Sequence, residues 1–198
     1  FKLHKLALTF LTLASLFYYG FWNPKYLSII LISIIVNFYI GMIIGQKRSP
    51  VLLKIAIILN LLPLFYFKYF NFVAENMSLL LGQKFIPQTI VLPLAISFFT
   101  FQQIAYLVDC SRGECEDHDF WSYTLFVCFF PQLIAGPIVH HKQIMPQFRD
   151  HKNFDFDWVR LNRGLFIFVV GLFKKIVIAD SFAGIVAKGF DKNLALTF

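Results

Sequence analysis

The stretch "YLSIILISIIVNFYIGMIIG", Tyr26 to Gly45, is apolar throughout apart from Ser33 and Asn37. A segment of about 20 such residues matches the hydrocarbon thickness of a bilayer. Inside lipid no water is present to satisfy backbone N–H and C=O groups, so a lone spanning segment must be helical. Five further runs have the same character: Leu6 to Trp22, Val51 to Tyr69, Thr89 to Val108, Tyr123 to Val139 and Leu161 to about Ala187. Only 15% of the 198 residues are charged, against about a quarter in soluble domains. The expected fold is therefore all-α. It is a polytopic transmembrane helical bundle, read as one integral-membrane domain over residues 1–198 and set in the lipid bilayer.

The net charge is +7. Lys and Arg sit in short loops, where they fix orientation in a membrane, and no polar segment interleaves aromatic with basic residues. No nucleic-acid partner is expected. Placing the amino end inside also places Lys2, Lys5, Lys47, Arg48 and Lys54 inside. Simple alternation then puts Lys142, Arg149, Lys152 and Arg160 outside, against the positive-inside tendency. The conflict disappears if one segment between residues 71 and 139 re-enters instead of spanning. The two proline-bearing runs, Thr89 to Val108 and Tyr123 to Val139, are the candidates, and a break at depth requires a cavity or protein cover around it.

The stretch "FFPQLIAGPIVHHK", Phe129 to Lys142, carries the strongest such signal. Pro131 and Pro137 each remove a donor and free a carbonyl one turn earlier. Gly136 permits a bend, and Gln132 needs partners. Two readings stand: a kinked helix with an amide clasp to a neighbour, or a broken helix lining a substrate cavity. His140 and His141 follow, with an interfacial position near headgroups the simpler expectation. In "SFFTFQQIAYLVDCSRGE", Ser97, Thr100 and Gln103 approach one helical face and Gln102 lies beside them, as a packing seam or a cavity wall. Asp109 and Arg112 could pair at the helix exit.

In "GLFKKIVIAD", Lys174 lies roughly 20 Å along a helix begun at Leu161. Lysines at that depth are costly and functional by default. The alternative ends the membrane part at Phe173 and lays "KKIVIADSF" on the surface. Asp180 is spaced off the α-helical face of both Lys174 and Lys175. Cys110, Cys115 and Cys128 form no standard zinc pattern, so neither a metal nor a structural disulfide is expected.

Three stretches, "SFFTFQQIAYLVDCSRGE", "YTLFVCFFPQLIAGPIVHHKQIMPQF" and "NRGLFIFVVGLFKKIVIAD", together with "SLFYYGFWNPKYLSIILISIIVNFYIG" upstream, resemble the membrane-bound O-acyltransferase family. The branch they resemble is that of the alginate and peptidoglycan O-acetyltransferases. The resemblance covers nearly all of the chain and less resembles the teichoic-acid D-alanyl branch. It implies a multi-helix ring with a membrane-embedded tunnel in the bacterial inner membrane. It implies transfer of an acyl group from a cytoplasmic thioester donor, acetyl-coenzyme A, toward hydroxyls of a polysaccharide such as alginate or peptidoglycan, with a periplasmic acetyl-handling protein as partner and no bound cofactor. It places Gln102, Gln132, Gly136, Pro137, His140, His141, Lys174 and Lys175 as candidates to line the tunnel or face the donor. The family's hallmark histidine belongs to a later apolar segment and is expected beyond Phe198. Neither His140 nor His141 takes that role, and no residue up to Phe198 is expected to be catalytic. The chain is expected to be a fragment of a longer protein and inactive alone. The rival reading is a transporter or channel component without acyl-transfer chemistry. It predicts an inverted repeat, and none is visible.

Overall fold

Asn23 and Pro24 begin the longest uninterrupted α-helix. The Asn23 side chain accepts from Lys25 N, and Pro24 stands where no helical N–H is needed. In the computed structural model, residues 2–82, 86–115, 119–133, 136–137, 139, 141–150, 153 and 155–191 are described. All regular structure among them is helical, and they fall into two compact units, residues 1–154 and 155–198.

The first unit holds α1 (Lys2–Trp22), α2 (Pro24–Lys47), α3 (Pro50–Leu64), a π turn (Phe65–Tyr69), α4 (Phe70–Leu81), α5 (Ile96–Ser111), α6 (Phe120–Cys128), α7 (Phe130–Leu133) and α8 (His141–Arg149). Two stretches are long and apolar enough to cross a membrane: Pro24–Lys47 and the continuous Pro50–Leu81. Arg48 adopts the left-handed conformation that stops α2, and the Ser49 side chain caps α3 by accepting from Leu52 N.

Two differences from the sequence expectation concern breaks. The run Val51 to Tyr69 does not end at Tyr69: the helix continues through the π turn to Leu81, with Pro63 inside it. The run Thr89 to Val108 is not one helix. Residues 86–93 are irregular, and α5 begins only at Ile96, after Ala95 at φ 54°. The hydroxyls of Tyr19 and Tyr26 donate to the carbonyls of Leu94 and Val91 (3.1 and 2.8 Å), and Asn71 exchanges hydrogen bonds with Gln88. These bonds hold the irregular stretch against the end of the bundle where α1 gives way to α2.

The core is a polar seam inside an apolar shell. Asn37 and Asn60 exchange amide hydrogen bonds between α2 and α3 (2.9 and 2.6 Å). Gln103 of α5 donates to Ser33 of α2 (3.0 Å), and Tyr123 of α6 donates to Gln103 (3.2 Å). Such side chains act as interhelical clasps where lipid offers no alternative partner. Helices α2 and α5 approach closely because Gly41 has no side chain at the Tyr106 ring.

The Asn37–Asn60 clasp gives a measurable expectation. Asn37→Leu strips Asn60 of its cross-helix partner and should cost about 1–3 kcal/mol. Asn37→Leu with Asn60→Leu should recover most of that loss, because neither amide is then stranded. Thermal unfolding in detergent, followed by helical circular dichroism, checks the sign of this coupling.

The second unit is helical from Trp158 to Asp191: α9 (Trp158–Phe173), a π turn (Lys174–Ala179) and α10 (Asp180–Asp191). Asp157 caps α9 through Val159 N and Arg160 N and pairs with the Arg160 guanidinium. The Arg160 hydrogen bond, aided by the two backbone donors, holds the Asp157 carboxyl below its ordinary value. That contribution to α9 is present above the unfolded carboxylate pKa and is lost as pH falls through the depressed one. The π turn also corrects the reading of Asp180. It adds a residue to the turn, brings positions five apart onto one face, and Lys175 forms an ion pair with Asp180.

Candidate functional site: a broken segment that turns back

Helix α6 starts with Asp119 accepting from Ser122 N (2.9 Å) and runs for only 9 residues. It breaks at Phe129, where ψ swings to 103°. Pro131 cannot donate back toward α6, so the ladder stops and α7 begins a separate turn. The Phe130 N–H reaches the Ser15 hydroxyl of α1 (3.4 Å), and its ring packs on Tyr18 (centroids 5.4 Å apart).

The chain then returns to the end it left. Lys142 of α8 pairs with Glu114, just after α5 (2.6 Å). The Arg48 guanidinium lies over Gly113, where a Cβ would meet its Nη2 at 2.7 Å. His4, in the first turn of α1, donates to the Phe148 carbonyl of α8 (2.7 Å). The start of α1, the α2–α3 loop, the exit of α5 and helix α8 therefore share one end of the first unit. The tip at Phe130 reaches Ser15, eleven residues along α1 from His4, which is roughly 16 Å deep. The described residues of the second proline-bearing run thus reach in among the helices and come back to the same end of the first unit.

The two glutamines expected at this site secure the break. Gln102 of α5 is 1% exposed and donates through Nε2 to the Phe126 carbonyl (2.8 Å), which the break leaves without a helical partner. Its Oε1 is the one buried side-chain oxygen or nitrogen among the described residues that has no hydrogen-bond partner. Gln132 donates to the Pro137 carbonyl (2.9 Å), and the Gly136 N–H closes the loop onto the Gln132 carbonyl (2.9 Å). A Cβ at Gly136 would lie 2.8 Å from both Cα and O of Gln132, so only glycine fits. Pro137 lies on the exposed side of this loop.

His141 is buried within the protein. It is 5% exposed, because α8 folds its first residue inward between Tyr106 (5.1 Å) and Phe126 (5.3 Å, edge-on). Gln102 and His141 thus meet the same residue, one at its carbonyl and the other at its ring. His140 lies outside the described residues. Lys174 and Lys175 are exposed in the second unit. Beside His141, the Glu114 carboxylate hydrogen-bonded to Lys142 raises that ammonium above its ordinary value.

The sequence reading missed Tyr106, which walls the histidine, and Tyr123, whose ring packs on that of Tyr106 at 4.4 Å with a 42° tilt. Aromatics are too frequent in this chain to stand out. Cys110 and Cys115 form a disulfide, which corrects the expectation of none. The turn through Arg112 and Gly113, with Gly113 at φ 78°, reverses the chain and sets the two Cα atoms 4.7 Å apart. Asp109 is buried, its carbonyl accepting from Arg112 N and Glu114 N in the same turn. No group of three metal-ligating side chains occurs among the described residues.

Residues 16–197 match the profile of the membrane-bound O-acyltransferase family. A peptidoglycan O-acetyltransferase of Helicobacter pylori is 42% identical over 95% of this chain and 41% of its own length. A protein of Pseudomonas aeruginosa named "Probable alginate O-acetylase AlgI" is 32% identical over 88% of this chain and 35% of its own length. The teichoic acid D-alanyltransferase of Lacticaseibacillus rhamnosus is similar over only 28% of the chain, at 27% identity. The chain spans about two fifths of the length of the first of these relatives. No solved structure matches it.

Proposed function

Since the chain belongs to the membrane-bound O-acyltransferase family, in its alginate and peptidoglycan O-acetyltransferase branch, we propose that it serves the transfer of an acetyl group from acetyl-coenzyme A to hydroxyls of an envelope polysaccharide. The protein is multi-pass in the bacterial inner membrane, and the end bearing His4, Arg48 and Lys142 faces the cytoplasm. The transfer runs from that side toward an extracytoplasmic acceptor, with a periplasmic acetyl-handling protein as the partner beyond the membrane.

One observation carries this reading: the segment from Phe120 to Lys142 enters among the helices, breaks, and returns with Gln102, Gln132 and His141 held on it or against it. Backbone broken at depth is tolerated where it lines a protected cavity. Arg48 and Lys142, at the mouth, supply positive charge for a phosphate-bearing donor. The break forms one wall of the acyl path, and His141 stands at its donor side. The residues of the broken segment position the acyl group and do not catalyse. Lys174 and Lys175 of the second unit serve the acyl donor, with Lys175 held by its ion pair to Asp180.

Deleting the gene at its natural locus tests the reaction class. Alkali-labile acetyl esters should disappear from one envelope polysaccharide and return on complementation. Unchanged acetyl content, with loss of uptake or export of a solute, would favour the transporter reading instead.

A further inference from the structure

A cavity of about 410 Å³ opens between α2, α3 and α5, apart from the broken segment. This is within the roughly 300–1,000 Å³ of typical ligand pockets. Its walls are mainly apolar, with Ile32, Val36 and Leu59 exposed at its mouth and Phe67 and Phe99 further in. Two of these helices belong to the span-length stretches, so the mouth lies on a surface suited to lipid.

Ser33 and Thr100 also line the cavity, and their hydroxyls decide what fits. The Ser33 Oγ already accepts from Gln103 Nε2 (3.0 Å) and from Asn37 Nδ2 (3.4 Å), while its own O–H donates to no described residue. Thr100 is buried as a residue, but its hydroxyl is open to the cavity and has no hydrogen bond with any described residue. Asn37 and Asn60, the other polar groups in the wall, are committed to each other. The wall thus offers two O–H donors in apolar surroundings, where a donor left unmade is costly. A complementary guest brings an acceptor, no donor and a hydrocarbon body. A fatty acyl ester has all three properties.

We propose that this cavity binds the fatty acyl ester of a glycerolipid from the surrounding bilayer. The ester carbonyl takes hydrogen bonds from Ser33 and Thr100, and the chain lies along Ile32, Leu59 and Phe67. The lipid is bound and not consumed, so the assignment is independent of acetyl transfer.

The test uses two photoactivatable phosphatidylcholines with a diazirine in the same tail position, one diester and one diether. The unmodified protein is reconstituted in vesicles of each, and cross-links are mapped by peptide mass spectrometry. The diester should label Ile32, Leu59 and Phe67 about fivefold or more above the diether, the difference expected for two hydrogen bonds. It should also label them above Phe10 and Phe17, on the exposed face of α1. Ser33→Ala with Thr100→Val should remove the preference. Equal labelling by the two lipids would overturn the carbonyl contact. Absence of labelling in the cavity, as when another protein segment fills it, would overturn the lipid site.

Discussion

Gly41→Val is expected to cost about 3 kcal/mol of stability, near the upper end of the usual range for overpacking. A Cβ at Gly41 would stand 2.4 Å from Tyr106 Cε1 and 2.8 Å from its Cζ and Oη. Those atoms belong to a side chain, which could move if it had somewhere to go. It has not: Tyr106 is 1% exposed, packed on Tyr123 and against His141. Either α2 withdraws from α5, opening the Gln103–Ser33 contact, or the ring is forced away from Tyr123 and His141. Tyr106→Leu in the same chain removes the offending atoms and should restore part of the loss, although it is itself a core truncation. Unfolding midpoints of the two single variants and the double variant decide the point. A double variant no more stable than Gly41→Val would mean that the clash lies elsewhere.

The sequence made most of the helices legible and misplaced several of their ends. Long apolar runs between Pro24, Pro50 and the basic loops left little choice of element, since lipid-length segments must be helical. The return of the second proline-bearing run to the end it left was foreshadowed by charge and by its prolines: the basic loops at Lys47 and Lys142 could share an end only if something turned back. What the sequence hid was tertiary. The run Thr89 to Val108 looks continuous, yet its first part is held as irregular chain by Tyr19 and Tyr26, far away in sequence. Asp180 looked out of phase with Lys175 because the spacing was judged on α-helical geometry, which the π turn changes.

The candidate site was legible as residue types and obscure as roles. Gln102 and Gln132 stood out as amides in apolar runs. That Gln102 serves the Phe126 carbonyl freed by the break, and Gln132 the Pro137 carbonyl of the loop after it, depends on the fold. His141 looked like a boundary residue because it opens a polar segment. Its burial follows from α8 folding back onto Tyr106 and Phe126, a contact that no local pattern encodes. The disulfide was hidden similarly, since the pairing requires the chain reversal at Gly113.

The most direct measurement is the rate of acetyl transfer from labelled acetyl-coenzyme A to polysaccharide hydroxyls. It is made in membranes carrying the protein expressed from its natural locus and normalised to folded protein, with Gly136→Ala as the probe. The added methyl would collide with the Cα and carbonyl oxygen of Gln132, backbone atoms that cannot swing aside as a flexible side chain could. The clasp from Gln132 to Pro137 must shift, and with it the broken wall. The helical seam through Asn37, Asn60 and Gln103 lies on other contacts and should keep its unfolding midpoint. If the broken segment positions the acyl group, the normalised rate should fall about 100-fold, the scale expected when a reacting group is misplaced by an ångström or so. A rate equal to that of the unmodified protein would contradict the assignment of acyl transfer to this segment.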